Sequence, residues 1–188
     1  MHSQALGRWR TDVCIVIACA LALLAVMCPV LRRTYQISLT LRCGRQLEQI
    51  FQAVRSYAEG HGGYPPCQDV PPAPGSAGNW REQMRRRLSR GGAEDSAGPW
   101  ECPAGGTYVG NRALFGPPHR TLGSFRLRRE IGIIADGKAA VDGPGVGDFR
   151  GIDWRHRGGA NVMYLDGHVD WVPEDKAAWA ARHWDDPR

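Results

Sequence analysis

Residues 161–172 read NVMYLDGHVDWV, two runs of alternating character on either side of Asp166-Gly167. Asp and Gly both tolerate the positive φ that the central positions of a type I′ turn require, so the dipeptide predicts a β-hairpin with a two-residue loop. Such a loop pairs Leu165 with His168, Tyr164 with Val169 and Val162 with Trp171. The two-residue period of a strand then puts Val162, Tyr164, Val169 and Trp171 on one face, expected to pack on a helix. Met163, Leu165, His168 and Asp170 share the other face, expected to be partly exposed. Upstream, the apolar run Ile131–Ala135 before Asp136-Gly137 predicts a further strand, and Tyr108–Leu114 another. Together they give an antiparallel sheet of three or four strands.

The helix for that sheet lies near the other end of the chain. Val13–Leu31 reads VCIVIACALALLAVMCPVL without one charge, long enough as a helix to cross the hydrocarbon of a bilayer at about 1.5 Å per residue. A cleaved secretory signal is the competing reading, since Arg8 and Arg10 supply a basic flank and Ala20-Leu21-Ala22 imitates a cleavage site. Val16-Ile17-Ala18-Cys19 resembles a lipobox, but an apolar run follows Cys19 where a polar tether belongs. A retained anchor is preferred over both. Past Arg32 and Arg33, Ile37, Leu41, Leu47, Phe51, Val54 and Ala58 recur at helical spacing, so the helix is expected to continue as an amphipathic rod. Gly60, Gly62, Gly63, Pro65 and Pro66 stop it near Glu59, and Pro29 is expected to bend it. From Asp12 this makes one rod of about 70 Å, with a break around Arg32–Gln36 left open.

The rest is rich in turns. The chain holds 24 glycines and 13 prolines, and its 188 residues leave room for one modest core but not for a multidomain enzyme with separate cofactor and substrate domains. Net charge is +5 from a mixed set of 24 basic and 19 acidic side chains, not from a basic tail. Cys67–Gly78 is a Pro- and Gly-rich connector. After it Asn79 can cap a short helix with Glu82 in capping-box register and Trp80, Met84 and Leu88 on one face. The arginines crowding that helix, Arg81, Arg85, Arg86, Arg87 and Arg90, read as a solvated face and not as a nucleic-acid patch, because no stacking aromatics alternate with them.

Of six cysteines, Cys14, Cys19 and Cys28 fall in the apolar block and Cys43 on the helix just beyond it, leaving Cys67 and Cys102 in the polar part. A Cys67–Cys102 disulfide is the expected pairing if that part meets an oxidising compartment. His156, Asp166 and His168 raise a metal-dependent hydrolase reading, but Asp166 is committed to a turn and no hydrolase or phosphate-loop motif is present. His156 is read instead as a polar residue fixing the loop that leads into the hairpin. Asp136, Asp142, Asp148 and Asp153 offer the hard oxygens calcium takes, in a spacing that matches no calcium loop. Calcium is the one cofactor kept in view, and no catalytic residue is assigned.

The run Arg155–Val169 contains His156, nine residues, then Asp166-Gly167. This resembles the H-x9-DG signature of prepilin-type proteins, the type IV pilin-like and type II secretion pseudopilin-like family. Cys102-Pro103 with Tyr108-Val109-Gly110-Asn111, and Gln46-Leu47 through Tyr57 with Gly63-Tyr64-Pro65-Pro66, are similar to that family too. The resemblance implies an α+β, pilin-like fold: a long N-terminal membrane-spanning helix packed against a small antiparallel sheet. His156, Gly159, Asn161, Asp166, Gly167 and His168 would be its motif residues, in a structural role. It also implies cleavage by a prepilin peptidase after Gly7, with Arg8 first and Asp12 fifth in the mature chain. Arg8 and Arg10 depart from the apolar residues usual there.

The expected organisation is a leader-like cytoplasmic segment at 1–12, a transmembrane part at 13–31, its amphipathic continuation at 32–59 and a loop-rich head at 60–188. Arg32, Arg33, Arg42 and Arg45 would by charge alone hold that head inside, whereas the family places it outside, and long domains cross regardless of flanking charge. The reading is a non-enzymatic single-pass subunit of the inner, cytoplasmic membrane, its head periplasmic. Its partners would be the bilayer, other pilin or pseudopilin subunits along the helix, and prepilin peptidase. The alternative is an anchored extracytoplasmic binding module that keeps the pilin-like fold and no longer assembles.

Overall fold

The computed structural model describes residues 2–65, 80–90, 100–115, 130–138, 146–176, 178, 182 and 184. Side chains are described from Val13 onward, save those of Glu82, Arg86, Arg87, Ser89, Arg90 and Val146. Helix α1 (His2–His61) includes Pro29 and has no break at Arg32–Gln36. It starts ten residues before the expected Asp12 and ends two past Glu59.

The chain divides into two units between Ser38 and Leu39. In the first, every residue from Val13 to Tyr35 is exposed, apolar side chains included. From Val13 on, the helix is long and apolar enough to cross a membrane.

The second unit begins with the end of α1. There Leu39, Cys43, Leu47, Ile50, Phe51, Ala53, Val54 and Ala58 are buried, a set related by three- and four-residue spacings that lines one face. Ile37 and Leu41, expected on that stripe, lie off it, and Leu41 is 60% exposed. The expected stripe is rotated at its start because it leaves out Cys43. Helix α2 (Trp80–Arg90) buries Trp80 and Met84 fully and Leu88 in part, as its spacing predicts. Its capping residue Asn79 lies outside the described residues, as does the side chain of Glu82. Strand β1 (Thr107–Asn111) is shorter than Tyr108–Leu114, since Arg112–Phe115 turn into the one-turn helix α3. The Asn111 side chain accepts from the Ala113 amide at 2.9 Å and starts that turn. Strands β2 (Gly132–Gly137), β3 (Val146–Gly147), β4 (Gly159–Tyr164) and β5 (Val169–Pro173) complete the sheet.

The order is β3-β1-β2-β4-β5, antiparallel except that β3 runs parallel to β1. A bulge between Gly132 and Ile134 in β2 leaves Ile133 and Ile134 in one cluster. The sheet is covered on both faces. One carries Tyr108, Ile134, Met163 and Leu165 against α1, α2 and α3; the other carries Val109, Ala135, Ala160, Val162, Tyr164 and Val172 around Trp184.

The hairpin register differs from the expected one by a single residue. Met163 pairs with Val169, Val162 with Asp170 and Asn161 with Trp171. The loop holds three residues, Leu165, Asp166 and Gly167: the Gly167 amide bonds the Tyr164 carbonyl at 3.0 Å, and the Tyr164 amide bonds the His168 carbonyl at 2.9 Å. This is a type I turn closed by a left-handed glycine, the standard three-residue hairpin, with Gly167 at φ 98°. A slip of one residue exchanges the faces. Met163, Leu165 and Val169 therefore meet the helix side, Val162 and Tyr164 face Trp184, and Trp171 is 44% exposed. Gly167 allows a second thing: a Cβ there would stand 2.9 Å from Phe51 Cε1 of α1.

The register has a measurable consequence. Met163→Ala is expected to cost about 2–5 kcal/mol by chemical denaturation, and Trp171→Ala, half in solvent, about 1–2; the two-residue loop would reverse that order. Gly167→Ala is expected to cost about 1–3 kcal/mol through its backbone and the Phe51 contact.

Candidate functional site

Tyr108 of β1 stands opposite Asp136 of β2, and Asn161 of β4 opposite Trp171 of β5. The Asn161 amide donates to Asp136 Oδ2 at 2.6 Å, so Tyr108, Asp136 and Asn161 make a polar row across the middle of the sheet, all buried. This row meets α1. The Tyr108 hydroxyl donates to Gln46 Oε1 at 2.7 Å and lies 3.4 Å from the Cys43 carbonyl, and Asn161 Nδ2 donates to the Thr40 carbonyl at 3.2 Å. Polar groups this deep must be paired, so the bonds set both the depth and the rotation of the helix on the sheet.

At the centre of the row lie four chemically active side chains, Cys43, Cys102, Asp136 and His156. Each is at most 3% exposed, and their ligating atoms lie within 4.8 Å of one another. Cys43 comes from the buried stripe of α1. Cys102 comes from a tight turn, in which its amide bonds the Gly106 carbonyl at 3.1 Å and the Gly105 amide bonds its carbonyl at 2.8 Å. His156 comes from the turn before β4, where its amide and carbonyl both bond Gly159, at 2.9 and 3.2 Å. Its Nε2 is 3.2 Å from Cys102 Sγ and 3.4 Å from Asp136 Oδ2.

Cys43 and Cys102 form a disulfide, with Cα atoms 5.4 Å apart. This corrects the expected Cys67–Cys102 pairing; Cys67 itself lies outside the described residues. The expected pairing joins the two cysteines of the polar part and leaves Cys43 unassigned on the helix just beyond the apolar block, whereas Cys43 sits four residues before Leu47 and seven before Ile50, on the buried face. Counting Cys43 as an apolar helix position would have placed it there. The link closes a separation of 59 residues, which in the chain-entropy model stabilises by about 4 kcal/mol.

Each of the H-x9-DG positions has a mechanical task. His156 packs into the cluster. Gly159 makes room for the Trp171 indole, which lies within 2.4–2.6 Å of where a Cβ would be, while Trp171 Nε1 donates to the His156 carbonyl at 2.6 Å. Asn161 ties β4 to β2 and α1. Asp166 Oδ1 accepts from the His168 amide at 3.2 Å and bonds the His168 ring, Gly167 closes the turn, and the His168 ring stacks on Tyr164 at 4.4 Å.

The hydrolase trio does not come together. His156 stands before β4 and Asp166 and His168 after it, and six strand residues separate the two ends by roughly 20 Å. The acidic residues are also dispersed: Asp136 is buried in the sheet, Asp148 accepts from the Arg150 amide at 3.0 Å and Asp153 pairs with Arg155 at 3.3 Å, while Asp142 lies outside the described residues. On α2, Arg81 donates to the Tyr108 carbonyl, so it serves the fold; Arg86, Arg87 and Arg90 have side chains outside the described residues. Gly7, Arg8 and Asp12 belong to α1, their side chains likewise outside.

No protein-family model, curated protein or solved structure matches the chain.

Non-reducing peptide mapping is expected to recover Cys43 linked to Cys102; recovery of Cys67 joined to Cys102 would contradict the structure. Burial, aided by the Asp136 carboxylate and opposed by Arg155, pushes the Tyr108 phenol above the ordinary tyrosine range. The unfolded chain ionises at about pH 10, and above that it sheds a proton the folded chain keeps, so this contribution is whole below that pH and is lost as pH rises. Tyr108→Phe is expected to cost about 1 kcal/mol at neutral pH and to flatten the alkaline fall in urea midpoint between pH 9 and 11.

Proposed function

We propose that this chain is a non-enzymatic, single-pass membrane subunit of pilin or pseudopilin type, from a type II secretion or type IV pilus-like assembly. The carrying observation is α1, which from Val13 on is long and apolar enough to cross a membrane and has no residue buried from Val13 to Ile37. A helix exposed in that way needs lipid or like helices around it, and lateral packing of such helices is how a filament subunit would act. Two further observations favour the reading. A small, mainly antiparallel sheet packs on the end of the same helix from Leu39 onward, and the H-x9-DG residues serve as joints of that packing.

In this proposal the helix sits in the inner membrane and residues 60–188 lie outside the cytoplasm, where the Cys43–Cys102 link is stable. The departure at Arg8 and Arg10 favours the second reading, an anchored binding module that does not assemble. N-terminal determination on protein taken from membranes decides between them: a chain starting at Arg8 is the expected result, and an intact Met1 transfers the assignment to the anchored module. Protease added to spheroplasts is expected to degrade residues 60–188; their protection would overturn the orientation.

A further inference from the structure

The cysteine pair, His156 and Asp136 make a donor set that a structural cross-link does not require. A disulfide needs only its two sulfurs and apolar packing. Here an imidazole nitrogen and a carboxylate are brought against it in a space closed to solvent, where every unpaired polar atom is costly. Among the described residues Asp136 Oδ1 has no hydrogen-bond partner, although Asp136 is fully buried. Around one divalent ion with Zn–S near 2.3 Å and Zn–N near 2.1 Å, neighbouring tetrahedral ligands stand about 3.4–3.8 Å apart. His156 Nε2 already keeps 3.2 and 3.4 Å to Cys102 Sγ and Asp136 Oδ2. Two thiolates, one imidazole and one carboxylate from four separate segments is a set that suits zinc and leaves no open position for a substrate.

We propose that this cluster is a structural zinc site in the dithiol form of the protein, with zinc and the Cys43–Cys102 disulfide as mutually exclusive ways of joining α1 to the sheet. Reduction by a dithiol breaks the Sγ–Sγ bond: two electrons and two protons pass to the cysteines, and the reductant closes its own disulfide. Zinc then binds the two sulfurs as thiolates, releasing two protons to solvent, and gains Asp136 and His156 as its other ligands. Oxidation of the bound thiolates by a disulfide oxidant takes two electrons, reforms the link and expels the ion. The chain would thus hold the same joint before and after oxidation. The site does not depend on the membrane reading.

The test uses the full chain in detergent with Cys14, Cys19, Cys28 and Cys67 changed to serine, reduced and then titrated anaerobically with Co2+ and Zn2+. One equivalent of Co2+ is expected, with the visible spectrum of a tetrahedral thiolate site, displaced by Zn2+, and the oxidised chain is expected to take none. X-ray absorption on the zinc form should give two sulfur and two nitrogen or oxygen ligands. His156→Ala and Asp136→Asn, each checked for folding in the oxidised state by circular dichroism, are expected to weaken binding at least tenfold. No stoichiometric uptake by the reduced chain, any other sulfur count, or unchanged affinity in both variants would overturn the proposal. A reduced chain that unfolds and is not restored by Zn2+ overturns it equally.

Discussion

The structure depends on a polar seam in an apolar interface. Tyr108, Asp136 and Asn161 cross the centre of the sheet and reach the Thr40–Gln46 stretch of α1. Apolar packing is indifferent to small sliding or rotation, whereas a buried hydrogen bond is lost when its partners move apart by an ångström or so. The apolar clusters supply the driving force, and the seam selects one docking among the many they would accept. The Cys43–Cys102 link lies in the same seam and fixes it covalently.

Around this seam the short C-terminal motif acquires a physical meaning. His156 and Asn161 engage the seam, Gly159 lets the Trp171 indole cross the backbone, and Gly167 lets the turn approach Phe51. The Gly159 contact lies within the hairpin, whereas His156, Asn161 and Gly167 connect it to other segments, so the spacing of nine residues between His156 and Asp166 measures the length of β4 and its turns, with the buried joint at one end and the helix contact at the other. From Leu39 the helix buries one face, while every residue from Val13 to Tyr35 is exposed.

The hairpin register shows how much rests on one residue. Asp166-Gly167 satisfies a two-residue loop, yet it serves equally as the last two residues of a three-residue loop with Gly167 left-handed. Both forms obey the same local rules. The choice is made at a distance, by the fit of Met163 and Leu165 into the helix-facing cluster and by Asn161 meeting Asp136 and Thr40. Since β4 is buried on both faces, its alternation carries no strong preference for either.

Periodicity and turn chemistry in the sequence determined the elements themselves: the long helix with its uncharged first part, α2 with Trp80 and Met84 inward, the strands at Ile131–Ala135 and around Asp166-Gly167, and an α+β class. These are local properties, set by neighbours within a few residues. The tertiary structure alone decided the hairpin register, the burial of Trp184 beside Gly132, the parallel addition of β3, and the union of Cys43, Cys102, Asp136 and His156. The reason is one of range. Those four side chains come from four segments, and whether a cysteine meets Cys67 or Cys43 is settled by how helix and sheet pack, which no window of sequence contains.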